Sequence, residues 1–219
     1  MPSRTSSPPP APRELVGAET CDVVDPIVAQ ARRTFIGGGK IEMGELAGQV
    51  GVNRATLFRR YGGRDQFLAE VIWSVTEPTL RIAARDATGC GGARIAETLG
   101  RFAAMANRGF FSDFLRREPE RALRIMTTRA FGVHSRVVAG VEDLVRTEVD
   151  AGALHPPLPV HDLAFLLVRI TESFIYTNTI SGEAPDAIKV WQACAVLLGA
   201  DIPAADDAAA VLAGAKEWK

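Results

Sequence analysis

Four arginines, Arg54, Arg59, Arg60 and Arg64, lie within positions 52–64 with no acidic residue among them, in a chain whose formal net charge is −1. A guanidinium is a planar fork of donors that matches guanine O6 and N7, or a phosphate, so an acid-free run of this kind suits a nucleic acid. That chemistry needs a rigid carrier, and the spacing supplies one. A helix is predicted over Arg54–Tyr61 behind Asn53, whose side chain can cap it by accepting a backbone N–H. Leu57 and Tyr61 are four apart and share the inward face, which leaves Arg54, Ala55, Phe58 and Arg59 turned outward. Arg54 and Arg59 then suit base edges, while Thr56, Arg60 and Arg64 suit phosphates.

A second helix fits Met43–Val50, joined to the first only by Gly51, Val52 and Asn53. Two short helices with a turn of that length form a helix-turn-helix, whose second helix enters the major groove. Leu46, Ala47 and Val50 give the leading helix an apolar stripe, and Gly51 can take the positive φ that ends it. Upstream, Ile27, Val28, Ala31 and Phe35 fall at helical spacing behind an Asp-Pro start, and three glycines from Gly37 close that helix. The GGGK at 37–40 lacks the remainder of a phosphate-loop pattern and reads as a linker. A three-helix DNA-binding domain is therefore expected over residues 23–68.

The stretch LAGQVGVNRATLFRRYGGRDQFL, residues 46–68, resembles the DNA-binding domain of the TetR family of bacterial regulators. The resemblance implies DNA-facing positions at Asn53, Arg54, Thr56, Phe58, Arg59, Arg60 and Arg64. It also implies a homodimer on double-stranded operator DNA, released by a small-molecule effector, with repression as the usual mode. Three residues depart from the family pattern. Phe58 stands where a tyrosine hydroxyl commonly donates to phosphate, Gly44 is bare where some members touch DNA, and Gly63 replaces the usual cap of the next helix. Residues 167–186, LVRITESFIYTNTISGEAPD, further resemble the QsdR-type subgroup, which implies a lactone-like effector and a link to quorum-signal degradation.

The remaining chain reads as all-α, with no convincing strand pattern. After a long helix from Arg64 to about Asp86, crossing Pro78, helices are expected over 93–107, 113–128 with a break at Pro119, 135–151, 160–180 and 185–200. Residues 69–203 form the expected effector-binding and dimerisation domain. The runs 160–180 and 185–200 are apolar around most of their circumference, as pairing across a two-fold axis requires, or as helices central to their own bundle. Candidate effector-pocket walls are Trp73, Phe102, Met105, Phe110, Phe111, Phe114, Met126, Phe165 and Phe174. Arg169, Thr171, Glu172, Tyr176 and Asn178 are candidate polar handles. Core packing for the aromatics, and an Arg169–Glu172 ion pair, remain open. The helix from Arg64 is the expected lever between effector and DNA.

Residues 1–22 read as a disordered, proline-rich extension and residues 204–219 as a C-terminal tail. Three solitary cysteines without metal-ligand spacing, and apolar runs shorter than the roughly 20 residues of a membrane helix, point to a cytoplasmic protein with no metal, cofactor or membrane partner. An enzyme is the alternative from another class. The histidines His134, His155 and His161 lack ligand spacing, and no nucleophile motif is present. An interaction module without DNA binding would leave the arginine cluster without a role.

Overall fold

The computed structural model describes residues 25–215, and the side chain of Phe110 lies outside the described set. The expected N-terminal extension also lies outside it. Among the described residues every regular element is helical. Helix α1, Pro26–Ile36, starts on Asp25, whose carboxylate accepts the Ile27 N–H at 3.0 Å, with Pro26 preset for the first turn. It buries Ile27, Val28, Ala31 and Phe35. Helix α2, Met43–Val50, ends at Gly51 with φ +70°, a conformation a side chain would strain. Helix α3, Arg54–Tyr61, is capped by Asn53, which accepts the Ala55 N–H at 2.8 Å. Helix α4, Arg64–Asp86, passes through Pro78 as one element. Helix α1 packs on α2 and α4, and α3 packs on α2 and α4, so Leu57 and Phe67 close a small core.

The second half is a bundle of α5 (Gly91–Ala106), α8 (Val133–Asp150), α9 (Val160–Ile175) and α11 (Ala187–Leu198), with α4 laid against α5 and α8. Helices α5 and α11 pack closely because Gly100 has no side chain: a Cβ there would stand 2.8 Å from the Trp191 Cβ. Three elements differ from the sequence expectation. The segment expected from 113 starts four residues earlier, at Gly109, and divides at Pro119 as expected into α6 (Gly109–Arg117) and α7 (Pro119–Thr127), since Pro119 cannot continue a helix but is well suited to start one. The expected 160–180 helix stops at Ile175, and a short α10, Thr177–Ser181, follows Tyr176, where Thr177, Asn178 and Thr179 are poor helix formers in succession. Part of the expected C-terminal tail is helix α12, Ala205–Ala213, anchored by buried Ala208 and Leu212 and packed on α5 and α11. The Arg108 guanidinium donates to the Leu212 and Ala215 carbonyls at its C-terminal end, where a cation is favoured.

Candidate nucleic-acid interface and effector cavity

Helix α3 presents Asn53, Arg54, Ala55, Phe58, Arg59 and Arg60 to solvent, with Thr56 half-buried beneath them. Their electrostatic states differ. The Arg54 guanidinium lies 5.3 Å from the Phe58 ring centroid, a cation-π contact that aligns it along the outer face. Neither Arg54 nor Arg59 forms an ion pair with a described residue. Arg60 is held by Asp25 at 2.7 Å. Asp25 also accepts the Tyr61 hydroxyl, so one carboxylate caps α1 and ties α3 to it. Burial first, and that hydrogen bond second, push the Tyr61 phenol well above its usual range.

Arg64 does not share this outer face. Its guanidinium is only 23% exposed, donates to the Ile41 carbonyl at 3.0 Å, and stands 3.8 Å from Glu42 and 3.7 Å from Glu118. Those partners come from the loop before α2 and the end of α6, and no local spacing announces them.

A cavity of about 170 Å³ lies between α4, α5, α6, α7, α8 and α9. Seven of the expected residues line it: Phe102, Met105, Phe111, Met126, Thr171, Glu172 and Tyr176. Six expected lining residues do not. Trp73 lies under the Arg136 guanidinium at 5.6 Å, and Phe114 packs edge-on against Phe35 at 5.5 Å between centroids. Phe165 is 44% exposed, Arg169 has its head toward solvent, Phe174 packs on the core, and Asn178 lines a separate cleft with Ser112 and Pro119. The side chain of Phe110 is outside the described set.

The sequence reading missed Val75, Thr76, Thr79 and Leu80 on α4, Leu99 on α5, and His134 on α8. Their i, i+4 stripe on α4 was a legible signal: Thr76 and Thr79 turn their hydroxyls back onto the Ile72 and Val75 carbonyls, leaving methyl groups for the interior.

The polar end of the cavity is Glu172, His134 and Tyr176. Both oxygens of Glu172 are engaged, one by His134 Nδ1 at 2.9 Å and the other by Arg169 Nη1 at 2.8 Å. The open alternative of an Arg169–Glu172 pair is thus realised. The Tyr176 hydroxyl forms no hydrogen bond to a described residue, and burial, then the Glu172 charge, hold its pKa far above the usual value. The cavity therefore offers one unspent phenolic donor beside a carboxylate whose charge is already compensated. This suits a neutral, mainly apolar ligand with a hydrogen-bond acceptor.

Residues 90–199 match the family model for the tetracyclin repressor-like C-terminal domain. The chain belongs to the TetR family. Among solved structures it is similar to the R. erythropolis transcriptional repressor QsdR, at 27% identity and a TM-score of 0.75, over 81% of this chain and 95% of that one. This similarity supports the QsdR-type resemblance of residues 167–186. M. smegmatis AmtR matches at 21% identity and a TM-score of 0.45, over 85% of this chain and 90% of that one. No curated protein matches closely in sequence. As a TetR-family member the chain is a DNA-binding transcription regulator and not an enzyme. No helix among the described residues is long and apolar enough to cross a membrane.

In this TetR-family chain the first turns of α4 are joined by charge to helices α7 and α8. Asp65 pairs with Arg121 at 3.0 Å and with Arg124, both on α7, and Glu70 accepts two bonds from Arg136 on α8, at 3.0 and 2.8 Å. Helix α7 also supplies Met126 to the cavity wall. Helix α7 thus links the cavity wall to the helix that follows α3.

Proposed function

We propose that this TetR-family regulator is a repressor that binds a palindromic operator as a homodimer in the cytoplasm and leaves it when a small, neutral, mainly apolar effector, a lactone, fills the cavity. The observation that carries the reading is the outer face of α3, where Arg54 and Arg59 stand exposed without a carboxylate partner among the described residues. Unpaired guanidiniums there can fork onto guanine without first breaking an ion pair. Asn53, Ala55, Thr56, Phe58 and Arg60 complete the surface, with Arg60 and the α3 N-terminus for phosphates. Arg64 reaches a phosphate only by giving up its junction contacts, so we assign it chiefly to that junction.

Dimerisation is supported by apolar side chains that the chain alone leaves uncovered. Phe165 and Leu166 on α9 and Val196 on α11 are exposed, the last at 62%. Side chains of this size exposed on two adjacent helices favour a symmetric partner. The lactone reading rests on the mainly apolar lining of the cavity, on the Tyr176 hydroxyl as donor for an ester carbonyl, and on the likeness to QsdR. An effector that moves α7 shifts α4 through Asp65, and one that moves α8 shifts it through Glu70, changing the separation of the two recognition helices.

Footprinting on the chain's own promoter tests this reading, with and without lactones of increasing chain length. A protected palindrome, a two-protomer mass for the complex, and release by a short-chain lactone are expected. Protection that no lactone alters would remove the effector assignment, and absence of a protected palindrome would remove the repressor assignment.

A further inference from the structure

A second cavity, of about 410 Å³, lies where the DNA-binding helices meet α6 and α7, apart from the effector cavity. Its floor is apolar: Phe35, Ile41, Leu68 and Phe114 are all buried. Its rim is cationic, with Lys40, Arg64, Arg117 and Arg121 against the single carboxylate of Glu118.

Neighbouring acids do not balance this rim. Lys40 and Arg64 share Glu42, at 2.9 and 3.8 Å, Arg64 and Arg121 share Glu118, and Arg121 also pairs with Asp65. Arg121 Nε is buried beside Asp65 Oδ1 at 3.0 Å, yet no acceptor lies in line with its N–H. Arg117 has no carboxylate partner across the cavity: it donates to two main-chain carbonyls, Asp113 at 3.2 Å and Gly38. The field of the rim is visible at Glu42, whose carboxyl is held below its usual range by the Lys40 hydrogen bond first, then by the charges of Arg64 and Arg121.

We infer that this junction is a second ligand site, which takes a small organic carboxylate with an apolar body, its carboxylate on Arg117 and Lys40 and its body on Phe35 and Phe114. A charge-assisted fork onto Arg117 and burial of an aromatic or short aliphatic tail supply the two parts of the affinity. A DNA phosphodiester fits less well, because a recessed floor of four buried apolar residues offers a sugar-phosphate backbone nothing to bond. The walls come from both sides of the junction, Phe35 to Leu68 on one and Phe114 to Arg121 on the other. One bound molecule therefore clamps the DNA-binding helices to the effector domain, and by linkage carboxylate and DNA alter each other's affinity equally.

The test uses the full chain, with calorimetric titration and thermal shift against benzoate, octanoate and inorganic phosphate. Benzoate or octanoate is expected to bind and to raise Tm. Arg117→Ala should weaken that binding about tenfold, the loss of one charge-assisted contact, and Lys40→Ala should weaken it as well. Tyr176→Phe, in the other cavity, should leave it unchanged. Absence of binding by both carboxylates at millimolar concentration overturns the inference, as does undiminished binding to Arg117→Ala. Phosphate binding as tightly as benzoate overturns the apolar half of it. Weaker operator binding by Arg117→Ala, without any carboxylate effect, assigns the rim to DNA instead. None of these outcomes bears on the lactone or on Arg54 and Arg59, so the two readings fail separately.

Discussion

Replacing Asp25 by alanine removes three interactions at once, and their magnitudes can be separated. The lost cap of α1, now supplied to the Ile27 N–H, costs about 1 kcal/mol. The half-buried Tyr61 hydroxyl loses its partner, at about 1 kcal/mol more. The Arg60 pair adds little, because the Arg60 side chain is 57% exposed and water screens it. The total is about 2 kcal/mol, and for a chain of this size each kcal/mol moves Tm by about 2–4 °C, so a fall of roughly 4–8 °C is expected. Circular dichroism melts of Asp25→Ala, Asp25→Asn, Tyr61→Phe and the Asp25→Ala/Tyr61→Phe pair form the assay. Asparagine caps as well as aspartate, so Asp25→Asn should recover about half the loss. The double variant should lose about 1 kcal/mol less than the sum of the single losses. An Asp25→Ala melt within about 1 °C of the parent, or strict additivity in the double variant, would refute the assignment of one carboxylate to both helices.

Gly100→Ala drives a Cβ to 2.8 Å from that of Trp191 and should cost about 1–3 kcal/mol, whereas Gly48→Ala on exposed α2, with nothing within 4 Å, should gain about 0.5–1 kcal/mol; denaturant titrations compare the two. Burial pushes the Cys194 thiol up to about 12, opposed in part by a hydrogen bond with Thr171. Its folded value lies above the unfolded one of about 8.5, so its contribution to stability is complete below that pH and fades as pH rises toward 12. In a Cys21→Ser chain, a thiol reagent at neutral pH should therefore modify exposed Cys90 and spare Cys194 until the protein unfolds, and early loss of both thiols would contradict this. Tyr176→Phe removes a hydroxyl without a protein partner, so Tm should hold while lactone affinity falls about tenfold by titration; an unchanged affinity would take Tyr176 out of the effector site.

The recognition helix was legible because everything that makes it is local. Asn53 caps it, Gly51 ends its predecessor, and Leu57 and Tyr61 fix which face is outward. The all-α fold was legible for the same reason, through helical periodicity. What escaped depended on distant partners. Arg64 shares a run with Arg59 and Arg60, yet its guanidinium is claimed by Ile41, Glu42 and Glu118. The effector cavity was half legible. Aromatic type identified Phe102 and Phe111 but also drew in Trp73, Phe114 and Phe165, whose rings do not line it, while the α4 stripe of Val75 and Thr79, legible in its spacing, carries no aromatic and was passed over. Helix α12 was read as tail because Ala208 and Leu212, its buried anchors, form too sparse a stripe to stand out in an alanine-rich segment.

The central claim is that Arg54 and Arg59 on α3 read operator DNA. Its most direct measurement is affinity for the chain's own promoter and for random DNA across a salt series, with the parent, Arg54→Ala and Arg59→Ala. Tight binding of the parent to a palindrome is expected, with each variant losing about 1–3 kcal/mol of that preference while retaining salt-dependent binding to random DNA. Equal affinity for promoter and random DNA, unmoved by either substitution, would contradict it.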